Sequence, residues 1–373
     1  MRIAPFKLER FFARHEFSAP YLLCASDCES VSLRAILELD PAAADGLKAL
    51  RLGYTEAAGS PQLRSAVARL YETVTAGDVL LCAGSSEAIF AFMNCALSAG
   101  DHIVVQHPCY QSHYEVARAI GCDVTQWVGD ETAGWSLDPC FLERSIKPNT
   151  KAVMLTVPHN PTGYLMSRAA QGAIVDICRK NGLWLFSDEI FRFLEQDSSA
   201  RPPAAADLYE RAVSVSGLSK TFGLAGVRVG WLAAHDRELI AGMAALKDYL
   251  SLCNGAADEF IAGIALEHRD ALHRRNLDII NANLGPMDRL LERQADLFSW
   301  QRLRAGTVGL VRYKGSEGAK RFCDDAIATA GVLLLPSTEL EFGDAHFRVG
   351  LGRTNASESI VHFERFLTHS NRP

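Results

Sequence analysis

AVSVSGLSKTFGLAGVRVGWLA, residues 212–233, holds two short apolar runs separated by a glycine-punctuated loop that carries one lysine and one arginine. AVSVS (212–216) and VGWLA (229–233) have the length and β-branched content of strands. Between them Lys220 and Arg228 stand eight residues apart. A lone loop lysine is ordinarily a solvated surface group. Lys220, however, follows an apolar strand and is flanked by Leu218, Phe222 and Leu224, surroundings that lower the pKa of an amine and make it nucleophilic.

The same rhythm runs outward from this stretch. VLLC (79–82), HIVVQ (102–106), AVMLTV (152–157) and LWLFS (183–187) are short apolar runs set between longer amphipathic stretches. Runs with little alternation are typical of strands covered by helices on both faces, so the pattern predicts an α/β fold with one large, mostly parallel sheet. Residues 85–99 read as a helix that opens on Ser85 and Ser86 as candidate N-caps, carries Ile89, Phe90, Phe92, Met93, Ala96 and Leu97, and stops at Gly100. Residues 168–181 lie in the same way between Ser167 and Gly182. The ends differ: residues 1–40 and 265–373 combine amphipathic helices with fewer strands, VGLVRY (308–313) and FRVGL (347–351). This predicts a smaller α+β domain formed from both termini. The expected divisions are 1–45 for its N-terminal part with a substrate-side segment, 46–265 for the large domain and 266–373 for its C-terminal part. SSARPPAAAD (198–207) reads as a surface loop.

A chain of 373 residues is long enough for a large core with a satellite domain. The formal charge of −6 comes without any basic block, so no nucleic-acid partner is expected and anionic small ligands must be met locally. The opening MRIAPFKLERFFARHEF (1–17) lacks an apolar signal core, and no apolar run approaches the length of a membrane span. A soluble, cytoplasmic protein is expected. The ten cysteines form no paired CxxC arrangement, so neither a metal site nor a disulfide framework is expected. Cys82 and Cys95, inside apolar patterns, read as buried thiols.

In an open α/β sheet, ligands bind beyond the carboxyl ends of the strands. After VLLC comes AGSSEA (83–88), where Ser85 and Ser86 open a helix whose free N–H groups can hold a phosphate; a plain capped helix reads the same. After HIVVQ comes HPCYQSHY (107–114), whose Tyr110 either stacks on a planar ligand or packs in the core. After AVMLTV comes PHNPTG (158–163), where Asn160 adds a polar group to what would otherwise be a plain turn. After LWLF comes SDEIF (187–191), and Asp188 is either a helix cap or an acid aimed at a ligand. With Lys220, these candidates stand at successive strand ends, an order that chance does not readily assemble.

SGLSKTFGLAGVRVGW (216–231), PHNPTG and SDEIF, in this order and at these separations, resemble the class I/II aminotransferase family of fold-type I enzymes dependent on pyridoxal 5′-phosphate. The likeness runs from about Tyr54 to Arg353. It implies an α/β transferase fold, with a large mixed, mostly parallel sheet flanked by helices and the smaller α+β domain beside it. It also implies that Lys220 forms a Schiff base with the cofactor and later acts as the base at the substrate Cα. Asp188 would keep the pyridine nitrogen protonated, Asn160 would bond the ring oxygen O3′, and Tyr110 would stack on the ring. Ser85, Ser86, Ser219 and Arg228 would grip the phosphate. Tyr54, in GYTEAAGSPQLR (53–64), resembles the tyrosine that reaches the neighbouring subunit's phosphate, which implies a homodimer. Arg348, in HFRVGLGR (346–353), matches the arginine that holds the substrate α-carboxylate; read alone it would be a strand-edge surface charge, and Arg353 is the second candidate.

Two positions depart from the family pattern. Phe191 stands where many members have a tyrosine that donates to O3′, so the protonated Schiff base is expected to persist to higher pH. Gly217 replaces a common phosphate-binding serine, for which Ser216 or Ser219 would compensate. LLCASDCES (22–30) is expected over the substrate side chain, where Asp27 and Glu29 either meet a basic substrate group or are solvated. FKLERFF (6–12) is slightly similar to the opening of pyridoxal-phosphate cyclases acting on arginine derivatives. The leading expectation is a transaminase exchanging amino groups between an α-amino acid and a 2-oxo acid. A lyase, decarboxylase or cyclase on the same fold is the alternative. A pyridoxal-phosphate-binding transcription regulator is disfavoured, because only about 50 residues precede Tyr54. The chain has no GxGxxG dinucleotide fingerprint, Walker A or HExxH motif.

Overall fold

Each apolar run of the central region forms a strand in the computed structural model, which describes residues 2–370. The N-terminal segment contributes a short strand, β1 (Tyr21–Leu22). The middle of the chain lays down β2 (Val79–Cys82), β3 (His102–His107), β4 (Asp123–Val128), β5 (Thr150–Thr156), β6 (Trp184–Asp188), β7 (Ala212–Gly217) and β8 (Gly230–Ala234). These seven join in the order β2-β8-β7-β6-β5-β3-β4. Within this sheet β8 pairs antiparallel with both neighbours, and the other pairings are parallel.

Successive residues of a strand point to opposite faces, and here both faces are covered. Ile103 and Val105 pack with Phe92 and Met93 of the helix Ser85–Ala96, whereas Val104 packs with Ile174 and Cys178 of the helix Arg168–Asn181. That is why the runs show no polar alternation. The exception is β4, DVTQWV, which no apolar run announced. It lies at the sheet edge and buries only Trp127 fully, so polar residues are tolerated along it.

The chain then adds β9 (Phe298–Trp300), β10 (Val308–Tyr313), β11 (Val332–Leu333), β12 (Leu335–Pro336) and β13 (His346–Gly350). An antiparallel sheet runs β12-β13-β10-β9, and β1 pairs with β11. Leu23 and Cys28 share one core with Phe298, Phe322, Phe347 and Phe363, so both ends of the chain build the smaller α+β unit. The expected fold class is borne out. Among the described residues, no helix is long and apolar enough to cross a membrane.

Local details correct two readings. Ser85 and Ser86 are not N-caps: Gly84 occupies the cap with φ +86°, the two serines form the first helical residues, and the helix ends at Ala96, short of Gly100. A glycine is required there, because the left-handed backbone and the nearby Arg228 guanidinium, 2.5 Å from where a Cβ would stand, both exclude a side chain. Cys95 faces solvent, while Cys82 is buried as expected. The helix Arg168–Asn181 has the Ser167 cap and the left-handed Gly182 stop that its sequence predicts.

The segment after β1 runs against β13 and the turn beyond it. Gly350 N–H donates to the Leu23 carbonyl at 2.8 Å, and a Cβ on Gly350 would stand 1.9 Å from the Ala25 carbonyl oxygen. Gly350→Ala is therefore expected to destabilise the fold by about 1–3 kcal/mol, as overpacking does. A urea titration should show a lower midpoint with an unchanged slope; an unchanged midpoint would mean the segment is free to move aside.

Candidate active site

Because β8 alone runs against the rest of its sheet, the carboxyl ends of β2, β3, β5, β6 and β7 share one edge with the amino end of β8. Cys82 and Gly217 both pair with Gly230 there, and Thr156 pairs with Asp188. This is how Arg228, which precedes a strand, joins residues that follow strands. A cavity of about 440 Å³ opens at this edge. Ser85, Ser86, Tyr110 and Asn160 line it, as do Asp188, Ser219, Lys220 and Arg228.

Asp188 is buried, and both its oxygens are held. His113 Nε2 lies 3.2 Å from Oδ2, and the Ile190 N–H donates to Oδ1 at 3.1 Å. Its role as a simple helix cap is thereby ruled out: it closes a local turn and faces the cavity. His113 was not singled out in the sequence, although HPCYQSHY contains it. No local pattern marks it: His113 lies in the first turn of the helix Ser112–Ile120, and its partner Asp188 is 75 residues away in the sequence.

Lys220 is half-buried, and its Nζ donates to Ser26 Oγ at 2.9 Å. Burial lowers its pKa; Asp27 raises it in part, and Arg348 lowers it further. The amine is thus biased toward the neutral, nucleophilic form. Tyr110 donates to Glu9 at 3.1 Å, and its ring lies against Phe6, so its ring is positioned between the helix α1 (Lys7–His15) and the cavity.

The first-turn N–H groups of the helix Ser85–Ala96 have no carbonyl of the preceding turn to bond, and they open beside Arg228 and Ser219. Gly230 leaves room for this cup, since a Cβ there would meet the Ser85 nitrogen at 2.5 Å. A dianionic phosphate suits such a cup. Ser216 does not help: its hydroxyl is turned to the Glu189 carbonyl at 3.2 Å. A Cβ at Gly217 would stand 3.0 Å from the Gly230 Cα, which accounts for glycine at that position.

Arg348 is fully buried in β13, not at a strand edge. Its Nε and Nη2 donate to the Cys24 carbonyl at 3.2 and 2.9 Å, and Nη1 donates to Asn160 Oδ1 at 3.2 Å. One N–H remains on each terminal nitrogen, the pair a carboxylate accepts bidentately. The guanidinium sits behind the cavity wall, with Phe12 of α1 5.8 Å away. Arg353 is committed elsewhere, donating to both Asp27 oxygens (3.2 and 2.9 Å) and lying 3.5 Å from Glu16. Glu29 accepts from Thr354 N–H and Oγ1, both at 2.9 Å. Asp27 lines the cavity but is ion-paired, and Glu29 does not line it. Tyr54 is 89 % exposed and lies outside this cavity.

An amine, a buried acid and an anion cup, set along one edge of a mostly parallel sheet, fit the aldehyde, ring nitrogen and phosphate of pyridoxal 5′-phosphate, and define a fold-type I enzyme of that cofactor. The chain belongs to the class I and II aminotransferase family, whose model matches residues 23–361. The family depends on pyridoxal 5′-phosphate, which is the cofactor here. Capreomycidine synthase of Streptomyces vinaceus is 27% identical over 92% of this chain and 88% of its own length. A pyridoxal-phosphate-dependent aminotransferase from Streptococcus suis 89-1591 superposes with a TM-score of 0.94 at 27% identity, covering 100% of both chains. The pyridoxal-phosphate-dependent cyclase OrfR superposes with a TM-score of 0.89 at 29% identity, covering 99% of this chain and 98% of its own.

Proposed function

We propose that this enzyme moves the α-amino group of an amino acid to a 2-oxo acid, with Lys220 as both the attachment point of the cofactor and the carrier of the Cα proton. The observation that supports this most is the convergence of the Lys220 amine and the Asp188 carboxylate on one cavity, with a carboxylate fork on Arg348 behind its wall. The bound cofactor supplies an electron sink for the bond broken at Cα. The residues do the rest. Asp188, oriented by His113, holds a proton on the ring nitrogen. Asn160 bonds O3′, Tyr110 covers the ring face, and Ser85, Ser86, Ser219 and Arg228 take the phosphate. Arg348 takes the α-carboxylate once Phe12 turns aside, and so aims the Cα proton at Lys220. Tyr54, bare in the single chain, reaches the phosphate of a second copy in a homodimer.

The wall where the substrate side chain would lie carries Leu8, Phe12, Glu9, Glu16 and Asp27. Arg353 answers Asp27 and Glu16, whereas Glu9 has no ion-pair partner among the described residues. A side chain ending in a cation suits this wall and an acidic one is repelled by it. Incubating the holoenzyme with basic, neutral and acidic amino acids tests both points. Basic amino acids should convert the cofactor to its amine form, and a 2-oxo acid should return it. Conversion by aspartate in preference to arginine or ornithine would overturn the substrate assignment, and no conversion by any amino acid would overturn the reaction.

A second reading, a cyclase that returns its cofactor unchanged, is favoured by the similarity to OrfR along nearly the whole chain. Product formation without any amine form of the cofactor would select it. Phe191, buried on the cavity wall, gives a further expectation. No phenol at that position donates to O3′, so the oxygen is more basic and the lysine-bound cofactor keeps its proton to higher pH. Phe191→Tyr should move the midpoint of the absorbance titration down; a midpoint already below neutral pH in the wild type would refute this.

A further inference from the structure

The chain from Leu22 to Glu29 is pinned at almost every residue. Leu23 N–H donates to Leu333 at 3.1 Å, and the Cys24 carbonyl accepts from Arg348. The Ser26 carbonyl accepts from Thr307 Oγ1 at 2.8 Å, Asp27 holds Arg353, and Glu29 N–H donates to the Gly352 carbonyl at 2.7 Å. Ser26 is therefore fixed on both sides, and its hydroxyl is the group that the free Lys220 amine meets, at 2.9 Å. A lysine carries four rotatable side-chain bonds, and nothing in its own stem fixes where the nitrogen rests. A neutral amine that donates one N–H to Oγ has a fixed nitrogen position and keeps its lone pair for a proton.

We infer that Ser26 is a positioning residue that holds the free Lys220 amine, and that the Leu22–Glu29 segment sets the distance between that amine and Arg348. This rests on the reading of Lys220 as carrier of the Cα proton. One short stretch then spans from the group that takes the carboxylate to the group that takes the proton next to it. An error in either placement is felt by the other, because Cys24 and Ser26 are two residues apart on the same pinned backbone.

The test compares wild type, Ser26→Ala and Ser26→Thr. In the holoenzyme, Ser26→Ala should lower kcat about tenfold, the size of one net hydrogen bond, and leave the KM for the amino acid unchanged. Deuterium at Cα should then slow it more than it slows the wild type. Ser26→Thr, which keeps the hydroxyl, should restore most of the rate. In the apoenzyme, the pH profile for covalent attachment of pyridoxal phosphate reads the free amine directly. The ammonium loses an acceptor in Ser26→Ala, so the midpoint should move to lower pH, with Asp27, Arg348, Glu9 and Cys28 around the amine unchanged. A wild-type kcat and midpoint in Ser26→Ala would overturn the inference. So would a raised KM at constant kcat, which would make Ser26 a substrate contact. Wild-type protein that binds the cofactor without attaching it to Lys220 would instead overturn the reading beneath it.

Discussion

Replacing Lys220 by alanine is expected to remove covalent cofactor attachment and to lower turnover by about 10⁴-fold or more, because in the proposed reaction the same amine is both nucleophile and base. Borohydride reduction followed by mass spectrometry should find the cofactor's mass on the wild type and none on the variant. The fold should survive, since Lys220 is only half-buried and the Ser26 hydroxyl that its Nζ meets lines an open cavity, while the backbone bond from Gly223 N–H to the residue-220 carbonyl does not involve the side chain. The anion cup is untouched, so Lys220→Ala should still bind the cofactor reversibly. An active variant, or a wild type with no adduct, would remove the chemical basis of the proposed reaction.

The second large effect is expected from Asp188→Asn. The amide keeps the shape and the contact with His113 but brings no charge to the ring nitrogen. Turnover should fall by about 10²–10³-fold, comparable with removing one preorganised electrostatic contact. Stability should change by only about 1 kcal/mol, because both hydrogen bonds at this side chain can still form. Stopped-flow spectra should locate the loss in proton removal from Cα and not in binding. A rate within a few-fold of wild type would show that the acid does not act on the ring.

Much of the large sheet was legible because both its faces are buried, which writes strands as unbroken apolar runs. The edge strand β4 escaped for the opposite reason: DVTQWV needs to bury little beyond Trp127. Lys220, Asp188 and Asn160 could be found because ligand sites follow strand ends. His113 and Ser26 could not, since each meets the site through another side chain, and contacts across 75 and 194 residues of sequence leave no local pattern. Arg348 alone looked like a surface charge. What buries it is the pairing of β13 on both sides, together with the Cys24 carbonyl from the far end of the chain.

The shared strand edge divides the protein into a part that cannot drift and a part that can. Asp188 pairs in register with Thr156 and Val215, and one inserted residue in β6 would turn its carboxylate to the opposite face. Leu8, Glu9, Phe12 and Glu16 lie on α1 and its end, outside every strand. Side chains on α1 can therefore be exchanged without shifting the strand register that aims Asp188.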